Sequence, residues 1–83
     1  MNLSRIVKER DAAFIDFVKT GKSDKVIKYC IKYGVPVPEN STVLAVGIYK
    51  AVQVCMNIPD DVKALAVAKC RALGFEPYID LFE

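Results

Sequence analysis

The side chains that could take part in chemistry are few in this sequence, and they do not form a known catalytic pattern. The chain has no histidine, so the commonest general base and the commonest metal ligand are both missing. Its only adjacent carboxylates are Asp60 and Asp61, which directly follow Pro59. Proline suits the first position of a helix, and acidic residues stabilise the positive end of the helix dipole. We therefore expect this pair to begin a helix, and we predict no catalytic residue and no enzyme activity.

The cysteines and glycines are also too dispersed to build a cofactor or metal site. Cys30, Cys55 and Cys70 do not form a CxxC pair, and their odd number argues against a disulfide framework. The four glycines are isolated from one another, so the chain has no phosphate-binding loop and no dinucleotide fingerprint. We predict no cofactor and no metal, and we expect the cysteines to be buried free thiols.

A group of lysines is the feature that could bind phosphate. Residues 5–32 carry eight basic and four acidic side chains, although the formal net charge of the whole chain is only +2. On a helix, Lys25, Lys28 and Lys32 fall within an arc of about 60°. They could form a phosphate-binding face, but no Arg, Asn or Gln accompanies them on this helix to read base edges. The favoured interpretation is a solvated outer face, so we do not expect nucleic acid as a partner.

Size and composition indicate one folded domain over residues 1–83. Hydrophobic residues make up 53% of the sequence, and a domain this small buries only about 60% of its unfolded surface. We therefore expect some apolar residues to remain for a protein partner or for a second copy of the chain. Residues 1–9 lack the apolar stretch of a secretion signal, so we expect a cytoplasmic protein.

Helical periodicity before the tail predicts an all-α fold without a β-sheet. Apolar spacing and capping residues indicate four helices in two antiparallel hairpins, over residues 4–34 and 41–74. Residues 35–40 form a Pro-rich linker, because each proline lacks an N–H group and forces the preceding residue towards extended geometry. Residues 75–83 follow as a short apolar tail.

Individual residues predict where the helices begin and end. Glycines in the left-handed conformation commonly end helices, and three are placed to do so here: Gly21, Gly34 and Gly74. Ser23 or Asp24 is expected to cap the second helix, which buries four apolar residues: Val26, Ile27, Cys30 and Ile31. An internal similarity at an offset of 40 residues places Cys30 and Gly34 opposite Cys70 and Gly74.

The third predicted helix is apolar on most of its circumference. It is expected to begin at Asn40, Ser41 or Thr42 and to run to about Met56, with Lys50 and Gln53 in one narrow arc. We do not expect a membrane span, because Lys50 lies near the middle of the apolar stretch and no aromatic belt flanks it. A central helix is expected instead, buried by its neighbours or by a second copy. Gly47 would let another helix approach closely.

The segment from Val18 to Gly34, within residues 14–37, resembles the helix pair of an ankyrin repeat. The resemblance rests on Val18-Lys19-Thr20-Gly21, on Val26-Ile27-Lys28-Tyr29-Cys30 and on Gly34. The spacing of its two glycines is one residue longer than is usual in ankyrin repeats, and the Thr-Pro-Leu-His opening is absent. The resemblance implies a helix-turn-helix hairpin and not membership of that family.

The tail sequence Tyr78-Ile79-Asp80-Leu81-Phe82 resembles the Gln-Leu-Ser/Asp-Leu-Phe peptide by which many bacterial proteins bind the DNA sliding clamp. Asp80, Leu81 and Phe82 match directly and Ile79 matches conservatively, whereas Tyr78 replaces the glutamine. The resemblance implies that the tail binds a groove on a partner protein. The alternative is that Pro77 starts a last helical turn, which folds the tail back onto the core of the domain.

These features favour a small, non-enzymatic helical interaction module that self-associates through the third helix or the tail. Its expected partner is a protein or a second copy of the chain. The alternative is a nucleic-acid-associated accessory protein, which would use Lys25, Lys28 and Lys32 or the clamp-like tail.

Overall fold

The computed structural model describes residues 3–78, which form four α-helices and no β-strand. The helices are α1 (Leu3–Thr20), α2 (Asp24–Tyr33), α3 (Ser41–Val52) and α4 (Asp60–Ala72), and about 70% of the described chain is helical. The predicted all-α fold is confirmed. Within residues 3–78, no helix combines the length and the apolar character that crossing a membrane requires.

Local sequence accounts for most of the helix boundaries. Gly21 and Gly34 follow α1 and α2 with φ angles of 76° and 67°, in the left-handed region that favours glycine. At the start of α3, the Asn40 side chain accepts hydrogen bonds from the backbone N–H groups of Thr42 and Val43, at 2.8 and 3.2 Å. These bonds satisfy donors that a helix N-terminus otherwise leaves unpaired. Ser23 precedes α2 without such a side-chain bond.

α2 and α4 end in the same type of turn. After Gly34, the Val35 N–H group donates to the Cys30 carbonyl at 2.8 Å, and after Gly74, the Phe75 N–H group donates to the Cys70 carbonyl at 3.2 Å. A hydrogen bond of this span over a left-handed glycine is the Schellman motif. The internal similarity at an offset of 40 residues therefore coincides with a shared C-terminal motif of two helices.

α3 ends at Val52, whereas the sequence predicted an end near Met56. The chain leaves the helix here because it turns to bury Cys55 and Ile58 in the core. The Gln53 side-chain amide stabilises this turn by donating to one backbone carbonyl of α3 and one of α4, at 3.2 and 3.1 Å. The early end therefore comes from tertiary packing and not from a helix-breaking residue.

The central helix is α1, and not the third helix as predicted. α1 packs against α2, α3 and α4, whereas no Cα atom of α2 lies within 8 Å of a Cα atom of α3 or α4. Contacts are most extensive between α1 and α2 and between α3 and α4, the pairing expected of two hairpins. Lys69 of α4 also donates a hydrogen bond to the Val18 carbonyl in the last turn of α1. The buried apolar core comprises Ala13, Phe17, Val18, Val26, Cys30, Ile48, Tyr49, Val52, Cys55, Ile58, Val62, Ala66 and Cys70.

α2 buries a narrower stripe than the sequence predicted. Val26 and Cys30 are buried and Ile27 is partly buried, but Ile31 is 74% exposed. The physical reason is that α2 has α1 as its one helical neighbour in the described chain. Val26 and Cys30 are four residues apart, so they lie on the same side of the helix and α1 covers both. Ile31 lies about 100° around the helix from Cys30 and is therefore outside this contact.

The difference between these two apolar positions of α2 can be tested with matched substitutions. We expect Val26→Ala to lower the free energy of unfolding by about 2 kcal/mol, because it removes buried methyl groups and leaves a cavity. Ile31→Ala should change the free energy by less than about 0.5 kcal/mol, as is usual for exposed sites. Urea denaturation followed by circular dichroism measures both values. Equal losses for the two variants would contradict the orientation of α2.

Candidate functional site

Two of the three predicted phosphate-binding lysines form ion pairs with α1. Lys32 Nζ lies 2.9 Å from Oε1 of Glu9, and Lys25 Nζ lies 3.6 Å from Oδ1 of Asp16. Lys28 is exposed, and within residues 3–78 no carboxylate lies within 4.0 Å of its amino group. The chain's own carboxylates therefore neutralise part of the positive face that the sequence suggested.

The same ion pairs report the direction of α2 relative to α1. Lys25 lies early in α2 and contacts Asp16 late in α1, whereas Lys32 lies late in α2 and contacts Glu9 early in α1. The two lysines and the two carboxylates share a spacing of seven residues, so the helices run antiparallel. Glu9 and Asp16 were not identified from the sequence as partners of these lysines, although the seven-residue spacing of the two carboxylates equals that of Lys25 and Lys32.

Glu9 joins several side chains at the open end of this helix pair. It accepts hydrogen bonds from Lys32 at 2.9 and 3.1 Å and from the Tyr33 hydroxyl at 2.6 Å, and Arg5 Nε lies 3.4 Å away. The bonds from Lys32 and Tyr33 lower the pKa of Glu9 below its ordinary value of 4.5. Glu9 in turn raises the pKa of both Lys32 and Tyr33. This network holds α2 on α1.

The remaining charged and sulfur-containing candidates occupy structural positions. Asp60 and Asp61 lie in the first turn of α4, where the helix dipole favours acidic side chains. Cys30, Cys55 and Cys70 are buried and free, and burial raises the pKa of Cys30 and Cys55. A raised pKa keeps a thiol protonated and unreactive near neutral pH. Between residues 3 and 78, no three His, Cys, Asp or Glu side chains are arranged to hold a metal ion.

Asp11 is a buried carboxylate with a neighbouring cation. Its side chain is only 9% exposed, and Oδ1 accepts hydrogen bonds from Nε and Nη2 of Arg10 at 3.1 and 3.0 Å. A buried carboxylate that is paired in this way is satisfied, so we assign Asp11 a structural role.

The clamp-like tail lies mostly beyond the described part of the chain. Pro77 is fully buried and Tyr78 is 51% exposed, whereas Ile79, Asp80, Leu81 and Phe82 lie outside the described residues. The structure therefore shows that the chain packs on the core as far as Pro77, and that Tyr78, the first residue of the predicted motif, is half exposed.

The exposed side of α3 carries two apolar grooves, which share Val43 and Gly47. The first, here called the proline groove, has a volume of about 190 Å³ and is lined in part by Val26, Cys30, Pro36, Pro38, Val43 and Gly47. The second, here called the Phe75 groove, has a volume of about 290 Å³ and is lined by Thr42, Val43, Val46, Gly47 and Phe75. No charged side chain lines either groove. Typical small-molecule pockets have larger volumes, of about 300–1,000 Å³.

Val43 and Gly47 line both grooves and therefore form the boundary between them, here called the apolar ridge. Val43 is 56% exposed and Phe75, on the far rim of the Phe75 groove, is 46% exposed. The sequence predicts that the third helix is buried by its neighbours or by a second copy of the chain, and within the described chain the buried residues of α3 are Ile48, Tyr49 and Val52. Phe75 was missed as a surface residue because it follows α4 in sequence, and only the turn at Gly74 brings it beside α3.

Gly47 lacks a side chain and so forms a notch in this ridge. Nothing else in the described chain requires a glycine at this position. It lies in the middle of α3 without a positive φ angle, so the backbone does not require glycine there. A Cβ atom at this position would have no atom within 4 Å, so packing does not require glycine either. An exposed glycine in a helix interior costs about 1 kcal/mol relative to alanine.

The open space at Gly47 leads to a prediction for the monomeric chain. We expect Gly47→Ala to raise the free energy of unfolding by about 1 kcal/mol at low protein concentration, because alanine restricts the unfolded chain and fits without a clash. Thermal melts followed by circular dichroism measure the change. A loss of stability would mean that Gly47 is more tightly enclosed than the structure indicates.

The Glu9 network predicts a pH-dependent contribution to stability. Because the folded-state pKa of Glu9 is lowered, its contribution is fully present above the ordinary value of 4.5 and is lost as pH falls through the folded-state pKa. We expect the wild type to exceed Glu9→Gln in free energy of unfolding at neutral pH, and the difference to vanish in acid. Urea denaturation over a pH series measures it.

Glu76→Gln provides the control for that series, because Glu76 is exposed and lies outside the network. It should leave the acid dependence of the wild type unchanged. A difference between wild type and Glu9→Gln that stays constant from neutral to acidic pH would contradict a role for the ionised Glu9 carboxylate.

Comparison with known proteins finds no match of the chain to a protein-family model, to a curated protein or to a solved structure. The residues that carry the resemblance to an ankyrin helix pair lie on α1 and α2, which form an antiparallel hairpin.

Proposed function

We propose that the protein is a small, non-enzymatic helical interaction module that binds a second copy of itself. The binding surface is the exposed side of α3 with its two grooves, here called the α3 surface. The observation that supports this most directly is the apolar ridge and groove arrangement around Val43, Gly47 and Phe75, which carries no charged side chain. Contiguous exposed apolar surface of this kind marks interaction sites in soluble proteins.

A protein occupant suits the α3 surface better than a small molecule. The grooves lie open on either side of a ridge and contain no titratable group apart from the Cys30 thiol in the proline groove. Small-molecule sites usually combine an enclosed apolar pocket with a few convergent polar groups that orient the ligand. The α3 surface lacks those groups, so its free-energy gain comes from covering apolar area.

A second copy of the chain is the occupant that the charge of this surface favours. In a two-fold symmetric dimer the same patch serves both subunits, so it must be complementary to itself. A patch whose grooves carry no charged side chain meets the electrostatic part of that condition, because it does not repel its own copy. α3 contains no carboxylate, and its sole charged residue, Lys50, lines neither groove, so a partner seated on the grooves does not bury a charged side chain of α3.

The nucleic-acid alternative has weaker support. Ion pairs occupy Lys25 and Lys32, and phosphate would have to compete with Asp16 and Glu9 for them. Three or four lysines also give only weak and salt-sensitive affinity for phosphate. We further propose that the protein acts in the cytoplasm, because its three cysteines are free thiols, as expected in a reducing compartment.

Sedimentation equilibrium with two matched variants tests self-association. We expect the wild type to form a dimer at micromolar concentrations and Val43→Lys to shift it to monomer, because a dimer would bury the new ammonium group and α3 contains no carboxylate to pair with it. Ile31→Lys is the control: Ile31 is equally apolar and 74% exposed, but it lies on α2 away from the α3 surface. It should leave the dimer unchanged.

Three outcomes would contradict this function. If the wild type stays monomeric at high micromolar concentration, a second copy is not the occupant. If it is monomeric and Val43→Lys also lowers its stability, the chain's own residues cover the ridge. If both lysine variants weaken the dimer equally, the α3 surface is not the contact.

A further inference from the structure

We infer that two copies pair with their α3 helices antiparallel and crossing at Gly47. This inference rests on the proposed self-association and specifies its geometry. It starts from the glycine in the middle of α3, which neither the backbone conformation nor the packing of the described chain requires.

Close contact with a partner helix explains why residue 47 is a glycine. Without a Cβ atom, the backbone of a second helix can approach more closely than it can over any other residue. Val43 and Lys50 lie four residues before and three residues after Gly47, so all three share one side of α3. A helix that crosses at the notch therefore brings Val43 and Lys50 of each copy close to the α3 helix of the other.

The charges at the two ends of α3 favour the antiparallel direction. Glu39 precedes the start of the helix, and Lys50 lies in its last turn. Antiparallel pairing directs each Lys50 towards the end of the partner helix that carries Glu39, whereas parallel pairing places like charges side by side. The helix dipoles are also opposed in the antiparallel arrangement, and this is the favourable one.

Disulfide cross-linking distinguishes the two directions. In an antiparallel pair centred on Gly47, position 43 of one copy lies beside position 50 of the other. We expect an equal mixture of Val43→Cys and Lys50→Cys chains to form mainly the mixed disulfide dimer, which intact-mass spectrometry identifies. All chains carry Cys30→Ser, because the Cys30 thiol lines the proline groove together with Val43, and the two remaining native cysteines are buried. Ile31→Cys, an exposed cysteine on α2, measures random collision.

Enlarging residue 47 tests the close approach independently of the cysteines. We expect Gly47→Leu to raise the dimer Kd by about tenfold or more, because its side chain separates the two helices. Gly47→Ala should raise the Kd by a smaller factor while the monomer becomes more stable. A thermal melt of each variant at low concentration shows that the fold is retained, so that a loss of dimer reports on the contact.

The results separate this geometry from self-association itself. A dimer that Val43→Lys disrupts but Gly47→Leu leaves intact would overturn the crossing at Gly47. Preferential disulfides between identical chains, Val43→Cys with itself and Lys50→Cys with itself, would overturn the antiparallel direction. In both cases the protein would still self-associate through the α3 surface, whereas a monomeric wild type would refute the proposed function as well.

Discussion

The packing of three helices around α1 is the interaction on which the rest of the structure depends. α1 alone contacts all of the other described helices, and it contributes Ala13, Phe17 and Val18 to the core. Because α2 and α3 both dock on α1 without contacting each other, a groove stays open between them. α2 is held by one neighbour and by ion pairs, each of which contributes little to stability but fixes the alignment of the two helices.

The helix boundaries were predictable wherever backbone chemistry marks them. Gly21, Gly34 and Asn40 act through φ angles and hydrogen bonds that depend on the residue type alone. The end of α3 was not predictable in this way, because no glycine or proline lies between Gly47 and Pro59. There the chain turns because Cys55 and Ile58 are buried in a core to which α1 and α4 also contribute. The local sequence does not contain this information, because it depends on helices that are distant along the chain.

The sequence predicted that some apolar residues stay exposed for a partner, but it did not predict where on the molecule they form a surface. An excess of apolar residues in a small chain indicates that some stay exposed, and Gly47 was noticeable as a point of close approach. Periodicity identifies the apolar side of a helix, but it does not state how many neighbours will cover that side. Ile31 and Val43 belong to apolar stretches and are exposed for this reason, whereas Phe75 joins the surface through a turn far away in the sequence.

The bond from Lys69 to the Val18 carbonyl also bears on the order in which the molecule folds. Contacts within α1 and α2, and within α3 and α4, join residues that are close in sequence, so closing their short loops loses little chain entropy. The Lys69 bond spans 51 residues and connects the two halves. We expect the two helix pairs to form early and this bond to close late. Helical domains dominated by local contacts fold within microseconds to milliseconds, so the unfolded chain exposes its apolar residues only briefly.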